Sequence, residues 1–151
     1  MNKILIFSII FFALSNCGYK PIYSSKNFNL SINKIEADKT VINNTIINAL
    51  EKIYSNEDTE NYINLKIDSS KNIIVKQKDS GGNPKIFEFV LNVTLEIQNE
   101  TNNVSTKKFS KSINFNNNDD KFKLSQYQNE LENTLIKLVV EDIIIFLSNY
   151  Q

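Results

Sequence analysis

The 151-residue chain contains no histidine, no arginine and no tryptophan, and has one cysteine, two prolines and three glycines. Each shortage excludes something. Without His there is no imidazole base, no histidine metal ligand and no Ser-His-Asp triad. Without Arg there are no bidentate phosphate forks, and 17 lysines balance 17 acidic residues, so the basic excess expected of a nucleic-acid binder is missing. The sole Cys17 excludes an intrachain disulfide. Carboxylates and lysines remain, but no carboxylate pair stands in a context that points to acid/base work. We therefore expect no enzymatic activity and no metal. Hydrophobic residues at 41% are enough for one modest core. Asn, Ile and Lys are abundant throughout, so a run such as Asn116-Asn117-Asn118 marks a loop and little else.

The N-terminus carries the sharpest pattern. Lys3 supplies a positive start, and Ile4 to Leu14 is an apolar stretch interrupted only by Ser8. Eleven residues of helix are too short to span ~30 Å of hydrocarbon, so the segment reads as a secretory signal over 1–16. Leu14-Ser15-Asn16-Cys17 resembles the bacterial lipobox, with Asn16 where a smaller residue is usual. That resemblance implies a thioether-linked diacylglycerol on Cys17, cleavage before it and N-acylation of the new terminus. These covalent chains are the only non-protein groups expected. Two or more acyl chains give stable membrane attachment, at ~0.8 kcal/mol per buried methylene. Gly18 is not the Asp that retains well-studied lipoproteins in the inner membrane, which is consistent with the outer membrane.

Residues 17–26 read as a lipidated tether and 27–151 as a single domain. Phe28, Leu30 and Ile32 alternate with polar residues as in a half-buried strand. Asp38 or Thr40 can cap a helix over Val41 to Tyr54, where Ile42, Ile46, Ala49, Leu50 and Ile53 share a face. Glu57, Asp58 and Glu60 lie in a polar loop that lacks the glycine and ligand spacing of a calcium site. Tyr62 to Asp68 and Ile73 to Lys78 read as two further strands, and Asp79 to Pro84 as a turn. Phe87 to Ile97 is the best strand, with Phe87, Phe89, Leu91, Val93, Leu95 and Ile97 as core, or alternatively as one wall of a lipid groove. After a loop over Gln98 to Asn103, Val104 to Phe115 returns as a strand. Ser125 to Gln128 fits a capping box opening a final helix to which Leu131, Leu135, Leu138, Val139, Ile143 and Phe146 belong. The pattern predicts an α+β two-layer sandwich, a mostly antiparallel four- to five-stranded sheet with two helices on one face.

Cys17-Gly18-Tyr19-Lys20-Pro21-Ile22-Tyr23 resembles the mature start of the LptE family of lipopolysaccharide-assembly lipoproteins. Asn44 to Leu50, Phe115-Asn116 and Asp120 to Tyr127 resemble that family's first helix and its passage into the last helix, and the element order matches over the mature chain. Phe115 replaces a common Tyr, and Arg is absent where relatives often carry it. The resemblance implies a non-enzymatic plug and assembly partner of the LptD outer-membrane β-barrel, lipid-anchored on the periplasmic face. It also implies lipopolysaccharide as a ligand. Lys76, Lys78 and Lys85 flank the Gly81-Gly82 turn and could meet lipid phosphates; Lys107, Lys108 and Lys111 form a second group. A solvated edge blunted by lysines is the plainer reading of both sets. Tyr19 and Tyr23 could meet the membrane interface or a barrel wall. The alternative function is a free periplasm-facing lipoprotein that binds or shuttles a lipid.

Overall fold

The computed structural model describes residues 30–54 and 61–150. Cys17, Tyr19, Tyr23, Phe28 and the acidic loop with Glu57, Asp58 and Glu60 lie outside the described residues. The order is β1 (Ser31–Ala37), α1 (Val41–Tyr54), β2 (Tyr62–Lys78), β3 (Pro84–Asn99), β4 (Val104–Asn116) and α2 (Lys121–Ser148). The strands form one sheet in the order β1-β2-β3-β4. β1 runs parallel to β2, and the other two pairs are antiparallel. Both helices pack on one face, so the chain is an α+β two-layer sandwich, as its periodicity predicts.

Alternation along β3 assigns the two layers. Phe89, Leu91, Val93, Leu95 and Ile97 are buried beneath the helices. Ile63, Leu65 and Ile67 of β2 and Phe109 and Phe115 of β4 extend this surface, with Ile42, Ile46 and Leu50 of α1 and Leu131 to Leu147 of α2 closing it. The opposite face is polar. There Lys66 meets Glu96 at 3.3 Å and the Ser110 hydroxyl donates to Asn92 at 2.7 Å. A sheet with one apolar and one polar face is the usual outcome when only one face is covered. Tyr54 ties the helices together: it is fully buried and its hydroxyl donates to the Ile144 carbonyl at 3.2 Å.

Three expectations need correction. First, Tyr62 to Asp68 and Ile73 to Lys78 are one 17-residue strand. Polar Ser69 to Asn72 interrupts the apolar alternation, but a backbone ladder needs no apolar side chains. β3 supplies unbroken partners there, from Asp68↔Thr94 to Ile73↔Phe89. Second, β1 spans Ser31–Ala37, further along than the alternation at Phe28 to Ile32 places it. A register shift between Ile32 and Lys34 brings Ile35 and Ala37 opposite Leu65 and Ile67. Third, Ser125 opens no helix. α2 begins at Lys121, and the Asp120 carboxylate accepts from the Phe122 and Lys123 amides at 3.1 Å each. The first turn hides from pattern reading because Phe122 is 72% exposed. Of the two candidate caps on α1, Thr40 does the work: its hydroxyl accepts from the Asn43 amide at 3.1 Å. Exchanging Asp120 for Ala should therefore destabilise the fold by about 1 kcal/mol, measured as a lowered urea midpoint at constant slope. Ser125→Ala should leave that midpoint within a few tenths of a kcal/mol.

Candidate functional site: the projecting β2–β3 hairpin

The Asp79–Asn83 turn is built by one carboxylate. Asp79 Oδ1 accepts from the Gly81 and Asn83 amides at 2.8 Å each, and Oδ2 accepts from the Asn83 side chain at 3.3 Å. Backbone bonds Asp79 N–H to Asn83 O and Gly82 N–H to Asp79 O close the loop. Gly82 has φ +84°, in the left-handed region where a side chain would be strained. The Asn83 amide and side chain, then the other turn amides, hold the Asp79 carboxyl below its ordinary value of 3.8. The charged form is thus favoured in the fold. Its contribution is present above the unfolded pKa and disappears as pH falls through the lowered folded value. Amide exchange at Gly81 and Asn83 should accelerate, relative to the intrinsic rate, as pH falls below about 4. In Asp79→Ala the same acceleration should already be present at pH 7.

The structure brings Lys76, Lys78 and Lys85 to the same end of the hairpin, with Lys78 paired to Pro84 in register. Lys76 is not available as a free cation. It contacts Glu88 at 3.0 Å, and that bond, before a smaller contribution from Ser112, lowers the Glu88 pKa. Lys78 and Lys85 are exposed. The second lysine group does not form a cluster. Lys107 and Lys111 lie on the helix side, Lys107 over the Phe146 ring at 5.5 Å and Lys111 against Asp142 at 2.7 Å. Lys108, opposite Thr94, points to the polar face. Adjacent strand residues must diverge in this way, so strict alternation was the signal that separates them.

Beside the hairpin, a cleft of about 550 Å³ opens between the ends of β4 and α2, lined among others by Ile86, Phe115, Asn117, Lys123 and Tyr127. Asn117 is already committed, its side chain donating to the Pro84 carbonyl at 2.9 Å. The Phe87 and Phe115 rings stack at 5.4 Å, and Tyr127 meets Phe115 edge-on at 6.2 Å, so the aromatic floor is packed. No group of three or more metal-ligating side chains occurs among the described residues.

The central stripe is core, not a groove wall. Leu91, Val93, Leu95 and Ile97 have no accessible surface at all. Side chains lining a lipid cavity would remain accessible to a water-sized probe, so no acyl chain fits beside these four. Sequence reasoning missed the apolar ledge at Ile73, Ile74 and Val75, which are 46%, 48% and 40% exposed. Their run of three β-branched residues reads as buried strand, but β1 pairs with β2 only as far as Ile67, so among the described residues this stretch lies at an edge of the sheet.

The architecture defines a class: a one-sided four-stranded sheet carrying two helices, with an overhanging hairpin. No protein-family model matches the chain, and no curated protein matches it. Solved structures do share the fold. One is rare lipoprotein B from Shewanella oneidensis, with TM-score 0.55 at 10% identity, covering 77% of this chain and 92% of that one. Lipoprotein B from Nitrosomonas europaea gives 0.55 at 13% identity over 79% and 84%. A chain described as a lipoprotein from Caulobacter crescentus CB15 gives 0.56 at 10% identity over 81% and 89%. At such identities the likeness establishes the fold.

Proposed function

We propose that the protein is an outer-membrane lipoprotein, anchored through Cys17 on the periplasmic face, that acts without catalysis as plug and assembly partner of an LptD-type β-barrel in lipopolysaccharide delivery. The observation that carries the reading is the fold shared with rare lipoprotein B over 92% of that chain. The Cys17 to Tyr23 segment, which resembles the start of LptE proteins, adds the specific role. A packed interlayer favours this over lipid shuttling, because the buried stripe leaves no room for an acyl chain. Lys78 and Lys85 are the proposed lipopolysaccharide contacts, acting as point charges on phosphate. Lys76 joins them only by exchanging its Glu88 partner.

The test is affinity purification of the full-length protein from detergent-solubilised membranes. One large β-barrel should be recovered in equal amount. Recovery of the lipoprotein alone would defeat the plug role. With Lys78 and Lys85 changed to Ser, the barrel should still be recovered, while binding of purified lipopolysaccharide falls. Unchanged lipopolysaccharide binding would remove the lysine contacts.

A further inference from the structure

β4 (Val104–Asn116) bounds the sheet on one side and pairs among the described residues with β3 alone. Its register runs from Asn116↔Ile86 to Val104↔Gln98 without a bulge. In an antiparallel ladder alternate residues turn their N–H and C=O groups to opposite sides, so about half of these residues direct both groups outward. Such a row is a template for another strand. The opposite margin differs. β1 has seven residues and a register shift between Ile32 and Lys34, and both features blunt an edge.

α2 supplies a second, independent observation. Tyr127, Leu138 and Ile145 are 45%, 41% and 50% exposed. They lie about three turns and two turns apart, so they share one face of the helix. Contacts place that face beside β4. Tyr127 meets Phe115 edge-on, Asp142, one turn after Leu138, meets Lys111, and Phe146, next to Ile145, meets Phe109. The exposed stripe therefore overhangs β4 where the sheet ends. Edge and stripe together bound a groove of the kind in which an added strand lies between a sheet and a helix.

Charge selects the occupant. Val104 to Asn116 carries three lysines and no acidic residue. Lys111 is neutralised by Asp142 at 2.7 Å. Lys107 lies over the Phe146 ring at 5.5 Å, a contact that leaves its charge uncompensated. Lys108 stands opposite Thr94 on the polar face, where Glu96 of the next row is already held by Lys66. Asp68, on the far side of Thr94, is two strands from Lys108, about 10 Å. Two positive charges thus remain at the middle of the edge after the ion pairs are counted. Two copies of this edge would bring four of them together, and like charges across a ladder repel. Carboxylates opposite Lys107 and Lys108 would complete both pairs. An edge blunted by lysines alone would have no use for the apolar stripe above it.

We propose that an extended acidic segment of a partner protein adds to β4 in this groove, with its apolar residues against Leu138 and Ile145 and its carboxylates against Lys107 and Lys108. The inference goes beyond the lipoprotein reading and does not depend on the barrel. The probe is a synthetic peptide, Val-Thr-Val-Thr-Val-Thr-Val-Glu-Glu, titrated into the full-length protein in detergent. In antiparallel register it sets Val opposite Phe109, Lys111, Ile113 and Phe115, and Glu opposite Lys108 and Lys107. Binding should slow amide exchange within Val104 to Asn116. A peptide ending in two Lys should bind about tenfold more weakly. Two further versions are N-methylated on alternate amides, in either phase, which deletes the donors on one side of the strand. One phase should weaken binding by about tenfold or more, as the loss of two or three hydrogen bonds requires, and the other much less. The exposed substitution Ile145→Gln should weaken binding while leaving the urea midpoint nearly unchanged, and Lys107→Gln with Lys108→Gln should remove the preference for the Glu peptide. Absence of binding, equal binding of the Glu and Lys peptides, equal binding of both methylated peptides, or slowed exchange in β2 in place of β4 would overturn the proposal. A dimer in sedimentation that Ile145→Gln dissolves would make a second copy the occupant and overturn it as well.

Discussion

Tyr54→Ala should destabilise the domain by about 3–5 kcal/mol, the largest loss expected from any single side chain near the helix junction. Tyr54 ends α1 with no accessible surface, and its hydroxyl reaches the Ile144 carbonyl of α2 at 3.2 Å, across 90 residues of sequence. Its carbonyl in turn accepts from the buried Ser31 hydroxyl at 3.2 Å, which fixes the start of β1. Truncation therefore opens a cavity where two helices and the parallel strand converge. Small domains hold only about 5–15 kcal/mol of net stability, so this loss removes a large share of it. Tyr54→Phe separates the two contributions. The ring still fills the space, and only the hydrogen bond is lost, so the cost should be about 1 kcal/mol. Urea unfolding of the wild type and both variants measures this directly. A loss below about 1 kcal/mol for Tyr54→Ala would mean that the helices are not joined there.

Much of this architecture is legible in the sequence because period decides it. The Phe87 to Ile97 alternation is a one-sided strand under any arrangement of its neighbours, and the structure buries Phe89, Leu91, Val93, Leu95 and Ile97 while leaving Phe87 partly buried at the end of the stripe. The Asp79 to Pro84 turn is likewise legible, since Gly82 supplies the positive φ and Asp79 the acceptor for two turn amides. What pattern cannot show is which partner a strand has. Ser69 to Asn72 look like a break because their side chains are polar, but their backbone is held by Val93, Val90 and the residues between. Lys71 stands on the helix-facing side because it lies opposite Leu91, and there Glu132 of α2 reaches it at 2.6 Å. The candidate site was half visible. The lysines at the hairpin end could be grouped from their closeness to the turn, whereas the Glu88 partner of Lys76 depends on cross-strand register. The open edge of β2 depends on where β1 stops, a consequence of its bulge and of the seven residues it contributes.

Changing Cys17 to Ser should abolish acylation and halt maturation, the largest functional effect expected of any substitution. The full-length wild-type chain should yield a mature protein whose mass corresponds to a start at Cys17 carrying a diacylglycerol and an N-acyl chain, with palmitate label incorporated. The Cys17→Ser chain should keep Met1 to Asn16, carry no label and show the unmodified mass. Anchoring strength follows from the chains: at ~0.8 kcal/mol per buried methylene a single acyl chain gives reversible attachment, and additional chains make it stable. Cys17 and Leu30 are thirteen positions apart, a stretch of chain that can reach at most about 45 Å, so an anchored domain stays within that distance of the bilayer and meets any membrane-embedded partner at high effective concentration. A mature chain that begins elsewhere, with no acyl mass, would replace the anchor with a simple secretory signal. It would also remove the reason for confining the domain, and with it the proposed barrel role, to the membrane surface.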